Sequence, residues 1–424
     1  MIFYYIDSSG DCVENKKRKK LIVGLLILIM FIFLTSLFLI INKDSKMVNL
    51  KDKTISEIKK YAKAEDLILE IKEEYHKKIL KGKVISQNVL PGTVLEKKQK
   101  LIITISLGKM DKLYYEKNKV NELGNIPIMM YHGIQNLKND DTAYIGGNVD
   151  RDGYQRTVEA FKNDLEFYYQ KDYRMIRLND YVNGIIDVEV GKSPIVLSFD
   201  DGLKNNIRVT GLDEKENIII DPNSAVGVLE TFKKKYPDFN VTATFFLNGG
   251  LFEQPEYNKK ILNWLIDNGY DIGNHSYGHA NLTNIGTAET EKEIGRLYNL
   301  LKDKIKDKYI KIVALPFGSP YETIHPNFKH ILSGNYEGKK YETIATLRVG
   351  WESEYSPFNK NFDQTFLKRI RAYDNLGTEF DIEHNFKMLE KTRYISDGDK
   401  ETIVIPKEKK DKLQEKTFLE VITY

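Results

Sequence analysis

Hydrophobic and polar positions divide the chain into three regions. Residues 21–41 form an apolar run without a charge, and about 20 such residues cross a bilayer as a helix. Residues 46–108 combine a helical period around Ile55, Ile58 and Ala62 with strand-like segments at 67–71 and 101–106. From residue 126 onward, apolar runs alternate with helix-period stretches. The pattern therefore predicts a membrane helix, a small α+β module and a larger α/β domain.

The larger domain is predicted to contain a parallel sheet covered by helices, because buried strands alternate with helices along the chain. We place a linker at 109–125, this domain at 126–405 and a C-terminal tail at 406–424. Residues 208–224 are interpreted as an inserted surface loop, and residues 394–406 as a closing strand or hairpin. The predicted strands are 126–131, 194–199, 241–247, 270–273, 309–315 and 342–347, and the predicted helices are 158–169, 225–236, 258–268 and 323–332.

The charges around the apolar run predict its orientation. Five basic residues occupy positions 16–20, and only Lys43 and Lys46 follow the run closely. Positive charge favours the cytoplasmic side, so we expect a cytoplasmic tail at 1–20, a transmembrane helix at 21–41 and extracellular domains after it. A cleaved secretory signal is the alternative, but it would have an apolar core of about 7–15 residues and a small-residue cleavage site. The sequence therefore favours a single-pass signal-anchor in the cell membrane.

Composition narrows the possible chemistry. The 424 residues are 41% hydrophobic and 29% charged with a net charge of +3, which is typical of globular domains. We see no concentrated basic face, so we expect no nucleic-acid partner, and nothing indicates an oligomer. The single cysteine, Cys12, excludes a disulfide framework and a cysteine-based zinc site. Any catalytic chemistry must come from histidine, carboxylate or hydroxyl groups.

Polar residues follow several of the predicted strands. Asp200 and Asp201 follow one strand, His275 and His279 follow another, and His132 follows the first strand of the domain. In parallel α/β folds, sites form at the C-terminal ends of strands. Asp-Asp-Gly also makes a good turn, but two histidines four residues apart together with a carboxylate form an open site for a divalent metal. Such a site suits metal-assisted hydrolysis.

Four motifs, in this order, resemble the NodB-homology polysaccharide deacetylases of carbohydrate esterase family four. The resemblance covers about residues 126–405 and implies a distorted (β/α) barrel that removes N-acetyl groups from polymeric N-acetylglucosamine. It implies metal ligation by Asp201, His275 and His279, with zinc expected and cobalt, manganese or nickel as alternatives. It also implies that Asp200 is the general base and that the backbone N–H of Phe317 holds the oxyanion. The motifs are Phe-Asp-Asp-Gly at 199–202, Thr-Phe-Phe at 244–246, Gly-Asn-His-Ser-x-x-His at 273–279 and Leu-Pro-Phe-Gly at 315–318.

Two family features are missing, and other residues are candidates to replace them. Ala314 occupies the position where the family usually has an arginine that steadies the base, and Arg369 or Arg371 is a candidate substitute. The family's late Leu-x-x-His motif is also absent. His132 is expected to act as the catalytic acid, as in a branch of the family whose acid comes from the first strand.

Two aromatic residues are candidates for the substrate groove. Tyr277 and Trp351 are predicted to stack on sugar rings, because aromatic faces suit the apolar faces of pyranoses. Packing in the core is the alternative for Trp351.

The small module resembles the PASTA modules of penicillin-binding proteins and wall-sensing kinases, through residues 82–87, 91–94 and 103–108. It either contacts peptidoglycan or acts as a spacer. We therefore expect a membrane-anchored deacetylase whose substrate is N-acetylglucosamine of peptidoglycan. The alternatives are a deacetylase of the exopolysaccharide poly-N-acetylglucosamine and a non-catalytic wall-binding scaffold with an inactive esterase fold.

Overall fold

The computed structural model describes residues 19–32, 45–76 and 78–424. The chain forms two compact units, Met1–Asp111 and Lys112–Tyr424. Of the predicted transmembrane helix at 21–41, residues 21–32 are helical, and residues 33–41 lie outside the described part. No helix within the described ranges combines the length and the apolar character needed to span a membrane.

From residue 45 onward, the first unit contains the helix α1 (Ile55–Ala64) and a three-stranded sheet of β1 (Ile68–Glu74), β2 (Val84–Gln87) and β3 (Lys100–Ser106). The strand β3 is central, parallel to β1 and antiparallel to β2. A capping box between Thr54 and Glu57 starts the helix by satisfying backbone N–H groups of the first turn. The apolar face of α1 and alternate residues of β3 form the core of this unit, which includes Ile58, Ala62, Leu101, Ile103 and Ile105.

The second unit is organised around a curled, eight-stranded sheet in which all recorded pairings are parallel. Its strands are β4 (Ile128–Tyr131), β7 (Tyr173–Met175), β8 (Ser193–Phe199), β11 (Thr244–Leu247), β12 (Asp271–Asn274), β13 (Ile312–Ala314), β16 (Ala345–Leu347) and β17 (Ile370–Arg371). Their order across the sheet is β16-β13-β12-β11-β8-β4-β17, with β7 also paired to β8. The prediction of a parallel α/β sheet is therefore confirmed, and the sheet forms a half-barrel.

Helices follow most of these strands and cover one side of the sheet. Met129, Leu197 and Phe245 pack against these helices, whereas Ile128 and Val196 belong to a separate core on the inner side of the curl. This alternation follows from the two-residue period of a strand that is buried on both faces. The helices of the second unit are α2 (Lys112–Asn118), α3 (Val158–Gln170), α4 (Leu178–Val182), α5 (Ala225–Lys235), α6 (Asn258–Asp267), α7 (Thr287–Ile305), α8 (Phe328–Leu332) and α9 (Ile382–Leu389). Of these, α3, α5, α6, α7 and α9 contribute side chains to the core that includes Met129.

One short segment, residues 367–371, contacts β16 at one end of the sheet and β4 near the other end. Leu367 forms a parallel bridge with Leu347 of β16. Three residues later, β17 pairs with β4 through Ile370 and Met129. The half-barrel is therefore joined across its open side by the segment that carries Arg369.

Several local features differ from the sequence expectation. The predicted helix at 323–332 is α-helical only at Phe328–Leu332, because Pro326 disfavours helical geometry in the residue before it. The structure also contains hairpins that the pattern did not specify, one of them within the predicted loop at 208–224. Small strands outside the main sheet are β5 (Ile134–Gln135), β6 (Arg156–Thr157), β9 (Val209–Leu212), β10 (Ile218–Ile220), β14 (Ser333–Tyr336), β15 (Lys339–Glu342), β18 (Thr402–Ile405) and β19 (Glu420–Thr423).

Two segments that were assigned to a linker and a tail pack within the second unit. Residues 112–118 form α2, and Val120 and Leu123 are buried after it. Near the C-terminus, β19 pairs in parallel with β18. Both segments contribute apolar side chains to this unit. The compact unit therefore begins before residue 126 and ends after residue 405.

Candidate metal centre and active site

The strand order of the sheet brings the predicted site residues to one edge. The strand β4 ends at Tyr131, just before His132, and β8 ends at Phe199, just before Asp200 and Asp201. His275 directly follows β12. Because these parallel strands point in one direction, their C-terminal ends meet on the same side of the half-barrel.

Asp201, His275 and His279 form a cluster with the geometry of a possible metal site. Asp201 Oδ1 lies 3.3 Å from His275 Nε2 and 3.2 Å from His279 Nε2. One ligand atom from each residue falls within 4.8 Å of the others. His275 is buried, whereas Asp201 and His279 are partly exposed. Among the described residues, these three side chains have the spacing that a metal ion needs. The two partly exposed residues leave one side of the cluster open to solvent.

Contacts around the cluster fix its orientation. His275 Nδ1 lies 2.8 Å from the carbonyl oxygen of Ala314. A carbonyl only accepts hydrogen bonds, so Nδ1 carries a proton and Nε2 is the ring nitrogen that faces Asp201. Metal-ligating histidines commonly donate their second nitrogen in this way. The residue at the position of the family's arginine thus orients a ligand through its backbone.

The loop between the two histidines is held by Glu293 on α7. Glu293 is buried, and its carboxylate accepts a 2.6 Å hydrogen bond from the N–H of Gly278. Its carbonyl accepts from the N–H of Tyr277 at 2.9 Å. The loop needs such support because Ser276 and His279 have positive φ angles of 60° and 54°, which are unfavourable for residues other than glycine.

Sequence reasoning missed the role of Glu293, although a signal for it exists. Glu293 lies on the buried face of α7 with Ile294, Leu297 and Leu301. A carboxylate in an apolar stripe requires a partner, because burying a charge without one is costly. Its position beside the histidine loop was not readable from the sequence.

The electrostatics of the cluster suit a cation. Burial raises the pKa of Asp201, but hydrogen bonds from His275 and His279 outweigh it and hold the pKa below its ordinary value. Burial lowers the pKa of His275, whereas Asp200 and Asp201 raise it, and the net shift is upward. The carboxylate is thus ionised and draws positive charge into the cluster. Two nitrogens and one oxygen with an open side are the donor set of catalytic zinc sites, so the residues fit such an ion.

Asp200 forms a buried ion pair with Arg369. Nη1 and Nη2 of Arg369 each donate a 2.7 Å hydrogen bond to one oxygen of Asp200. Nη1 also donates to Ser198 Oγ, and Nε donates to the carbonyl oxygen of Arg348. Burial raises the pKa of Asp200, but the Arg369 charge outweighs it and keeps the pKa below its ordinary value. Of the two arginines that the sequence offered as partners of Asp200, Arg369 therefore makes the contact, and Arg371 has no hydrogen bond or ion pair with Asp200 among the described residues.

His132 lies beside these groups on the end of β4. Its ring packs edge-on against Tyr154, with centroids 5.0 Å apart. The Nδ1 atom is buried and, within the described chain, has no hydrogen-bond partner. Burial lowers the pKa of His132, and the nearby carboxylates of Asp200 and Asp201 only partly oppose this shift. No motif in the sequence indicated the contact with Tyr154.

The predicted groove residues differ in their exposure. Phe317 is 55% exposed, and its ring lies 4.6 Å from that of His279, so the oxyanion candidate borders the cluster. Trp351 is 51% exposed. Tyr277 is partly buried, and the Arg296 guanidinium lies 3.6 Å from its ring centroid. One face of Tyr277 is thus covered, whereas Phe317 and Trp351 are each more than half exposed.

Comparison with protein families identifies both units. Residues 187–330 match the family model described as polysaccharide deacetylase, and residues 45–107 match the PASTA domain. The chain contains a PASTA domain and a polysaccharide deacetylase domain. The deacetylase match runs from before β8 to α8 and includes Asp200, the three cluster residues and Phe317. His132, Trp351 and Arg369 lie outside it. The resemblance stated from the motifs is confirmed.

Solved structures that resemble the chain include three deacetylases. The deacetylase PplD of Streptococcus pyogenes is 16% identical, and the alignment covers 63% of this chain and 98% of that one with a TM-score of 0.45. A de-N-acetylase from Aggregatibacter actinomycetemcomitans is 12% identical over 58% and 94%, with a TM-score of 0.37. The peptidoglycan deacetylase PdaC of Bacillus subtilis is 24% identical over 30% and 50%, with a TM-score of 0.22. No curated protein sequence matches the chain.

Proposed function

We propose that this polysaccharide deacetylase is a metal-dependent enzyme that removes acetyl groups from N-acetylglucosamine of peptidoglycan. The observation that carries the proposal is the open cluster of Asp201, His275 and His279 beside the buried Asp200–Arg369 pair. Held by the three cluster residues, a divalent cation such as zinc would supply Lewis acidity toward an amide carbonyl and toward water.

Asp200 is proposed to accept the proton of the attacking water. Arg369 keeps Asp200 ionised at neutral pH. The bidentate contact uses one lone pair on each carboxylate oxygen and leaves another on each. The same contact fixes the direction of the carboxylate, so the base does not need to reorganise during the reaction.

His132 is proposed to protonate the leaving amine. An amine leaves an amide poorly unless its nitrogen receives a proton in the transition state. Because burial lowers the pKa of His132, most of the rings are neutral at neutral pH, and the fraction that is protonated is a strong proton donor. Its position at the end of β4, next to β8, puts it on the side of the cluster where Asp200 lies. The N–H of Phe317 is proposed to stabilise the oxyanion, as the family resemblance implies.

The substrate and the location rest on the first unit and the apolar run. The PASTA domain supports a position in the cell wall, and the apolar run at 21–41 with its basic flank supports a single-pass anchor with the enzyme outside. Fractionation of cells that produce the full-length protein tests the anchor. The full chain should sediment with membranes, whereas a chain lacking residues 1–44 should not.

Acetate release from purified peptidoglycan tests the activity. The full-length protein with zinc should release acetate, a chelator should stop the release, and Asp201→Ala should abolish it. Asp213→Ala is the matched control, because Asp213 is an exposed carboxylate in the turn between β9 and β10 and its removal should have no effect.

The outcomes separate the alternatives. Release from poly-N-acetylglucosamine without release from peptidoglycan would identify an exopolysaccharide deacetylase. A protein that binds wall fragments, binds no metal and releases no acetate would instead be a scaffold with an inactive esterase fold.

A further inference from the structure

Arg371 lies at the mouth of the site, next to His132 on the neighbouring strand. In the pairing of β17 with β4, Arg371 is opposite Met130, and His132 is the second residue after Met130. Ile370 and Ala372 pack in the helix-facing core. Since side chains alternate along a strand, Arg371 faces the inner side, as Arg369 does, and it lies one step nearer the C-terminal edge.

The Arg371 guanidinium is held by aromatic rings. Its central carbon lies 5.2 Å from the ring centroid of Tyr154 and 4.8 Å from that of Tyr373. Tyr154 is also the ring that packs against His132. The tyrosines thus fix the cation close to the proposed catalytic acid.

Arg371 has no acidic partner among the residues that the structure describes. Six other described arginines lie within 4.0 Å of a carboxylate, namely Arg156, Arg174, Arg177, Arg208, Arg348 and Arg369. Arg371 is partly exposed, so its N–H donors remain available at the mouth. A preorganised guanidinium with free donors is suited to a planar anion.

The adjoining surface is aromatic. Trp351 forms an antiparallel bridge with Ile370, and its ring lies 5.7 Å from that of Phe380, which is 43% exposed. An exposed aromatic pair beside a cation offers contacts to both the apolar face and an acidic substituent of a sugar.

We propose that Arg371 binds a carboxylate on the glycan next to the residue being deacetylated, and that the enzyme consequently prefers acidic glycans to neutral ones. The inference rests on the proposed function and adds the chemical class of the substrate. It separates the two polymers considered above, because poly-N-acetylglucosamine carries no carboxylate, whereas the glycan of peptidoglycan carries a lactyl carboxylate wherever the stem peptide is absent.

The test compares two oligosaccharides of equal length. One is neutral tetra-N-acetylchitotetraose, and the other is a peptide-free peptidoglycan tetrasaccharide whose lactyl groups end in free carboxylates. The quantity is the ratio of kcat/KM on the acidic substrate to kcat/KM on the neutral one, measured by acetate release with the zinc-loaded, full-length protein. Arg371→Met should lower this ratio about tenfold to hundredfold, the range expected for a lost hydrogen bond to a charged group. Arg371→Lys should fall between, because lysine retains the charge without the planar fork.

A matched control is Arg393→Met, which removes the same charge and another arginine that lies over a tyrosine ring, that of Tyr173. Its ratio should equal that of the wild type. If Arg371→Met reduced kcat/KM equally on both substrates, Arg371 would only support the fold and the inference would be overturned. An unchanged ratio would overturn it as well. Wild-type protein that released no acetate from either oligosaccharide would instead refute the proposed function.

Discussion

Replacing Arg369 by methionine is expected to destabilise the deacetylase domain strongly. The substitution removes four hydrogen bonds, two of them to the buried carboxylate of Asp200. Asp200 is 1% exposed and Arg369 is fully buried, so no water replaces the lost partner. Breaking a buried pair by removing one member costs about 3–5 kcal/mol. We therefore expect the free energy of unfolding to fall by about that amount at pH 7.

A double variant that combines Asp200→Asn with Arg369→Met distinguishes a lost ion pair from lost packing. Asp200→Asn alone leaves the Arg369 charge buried without its counter-ion, so it should also be strongly destabilising. In the double variant neither charge remains, and its loss should be smaller than the two single losses added together. The coupling between two residues in direct contact is expected to be about 0.5–3 kcal/mol.

Intrinsic fluorescence follows this unfolding selectively. The chain has two tryptophans, Trp264 and Trp351, and both lie in the second unit. Urea titrations of the metal-free, full-length variants should show the losses as lower transition midpoints. A loss below 1 kcal/mol for Arg369→Met, or strictly additive losses, would refute the reasoning that the pair is a buried and coupled one.

Three further predictions concern the metal, the histidine loop and pH. Zinc at 100 times its dissociation constant should raise the free energy of unfolding of the domain by about 2.7 kcal/mol, measured by urea titration. His279→Ala should remove this stabilisation, and a stabilisation that persisted would place the ion elsewhere. Glu293→Leu should weaken zinc binding about 10- to 100-fold, measured by calorimetry. The zinc affinity of Glu293→Gln should remain near that of the wild type, because the amide oxygen can still accept a hydrogen bond from Gly278. Equal losses of affinity in both variants would exclude a role of Glu293 in positioning the histidine loop. Burial raises the pKa of Glu122 and of Asp397 in the folded state. The folded chain thus holds more protons than the unfolded one above the ordinary carboxyl pKa, and stability should fall as the pH rises from 5 to 8. Asp397→Asn should reduce that slope, and an unchanged slope would contradict the shared burial of the two carboxylates.

The sequence was most informative where a local pattern determines local structure. The helix α3 begins at the predicted Val158, because the Thr157 side chain caps it by accepting a hydrogen bond from the N–H of Ala160. The strand β8, which is buried along its whole length, appears in the sequence as a continuous apolar run. The metal-ligand candidates were also predictable, because two histidines four residues apart can converge on one ion.

Long-range partners were not predictable from local pattern. The sequence offered both Arg369 and Arg371 as candidate partners of Asp200, the proposed base. Only the pairing of β17 with β4 in the folded chain shows which of the two reaches it. Arg369 and Asp200 are 169 residues apart in the chain, and no periodicity carries information over that distance. The hairpin of β14 and β15 was missed for a different reason. Its turn uses Glu337 and Gly338, both with positive φ, and a glutamate there is an uncommon turn residue.

The segment at 367–371 has a consequence for how the enzyme becomes active during synthesis. All three metal-ligand candidates precede residue 280, but the counter-ion of Asp200 is supplied by Arg369, on the segment that joins β16 to β4. A chain that stops before this segment has a complete ligand set and a base without its guanidinium. Assembly of the half of the site that is proposed to accept the proton therefore waits until the half-barrel has been bridged. If the proposed function holds, a truncated or nascent chain is expected to bind metal well before it can hydrolyse an amide.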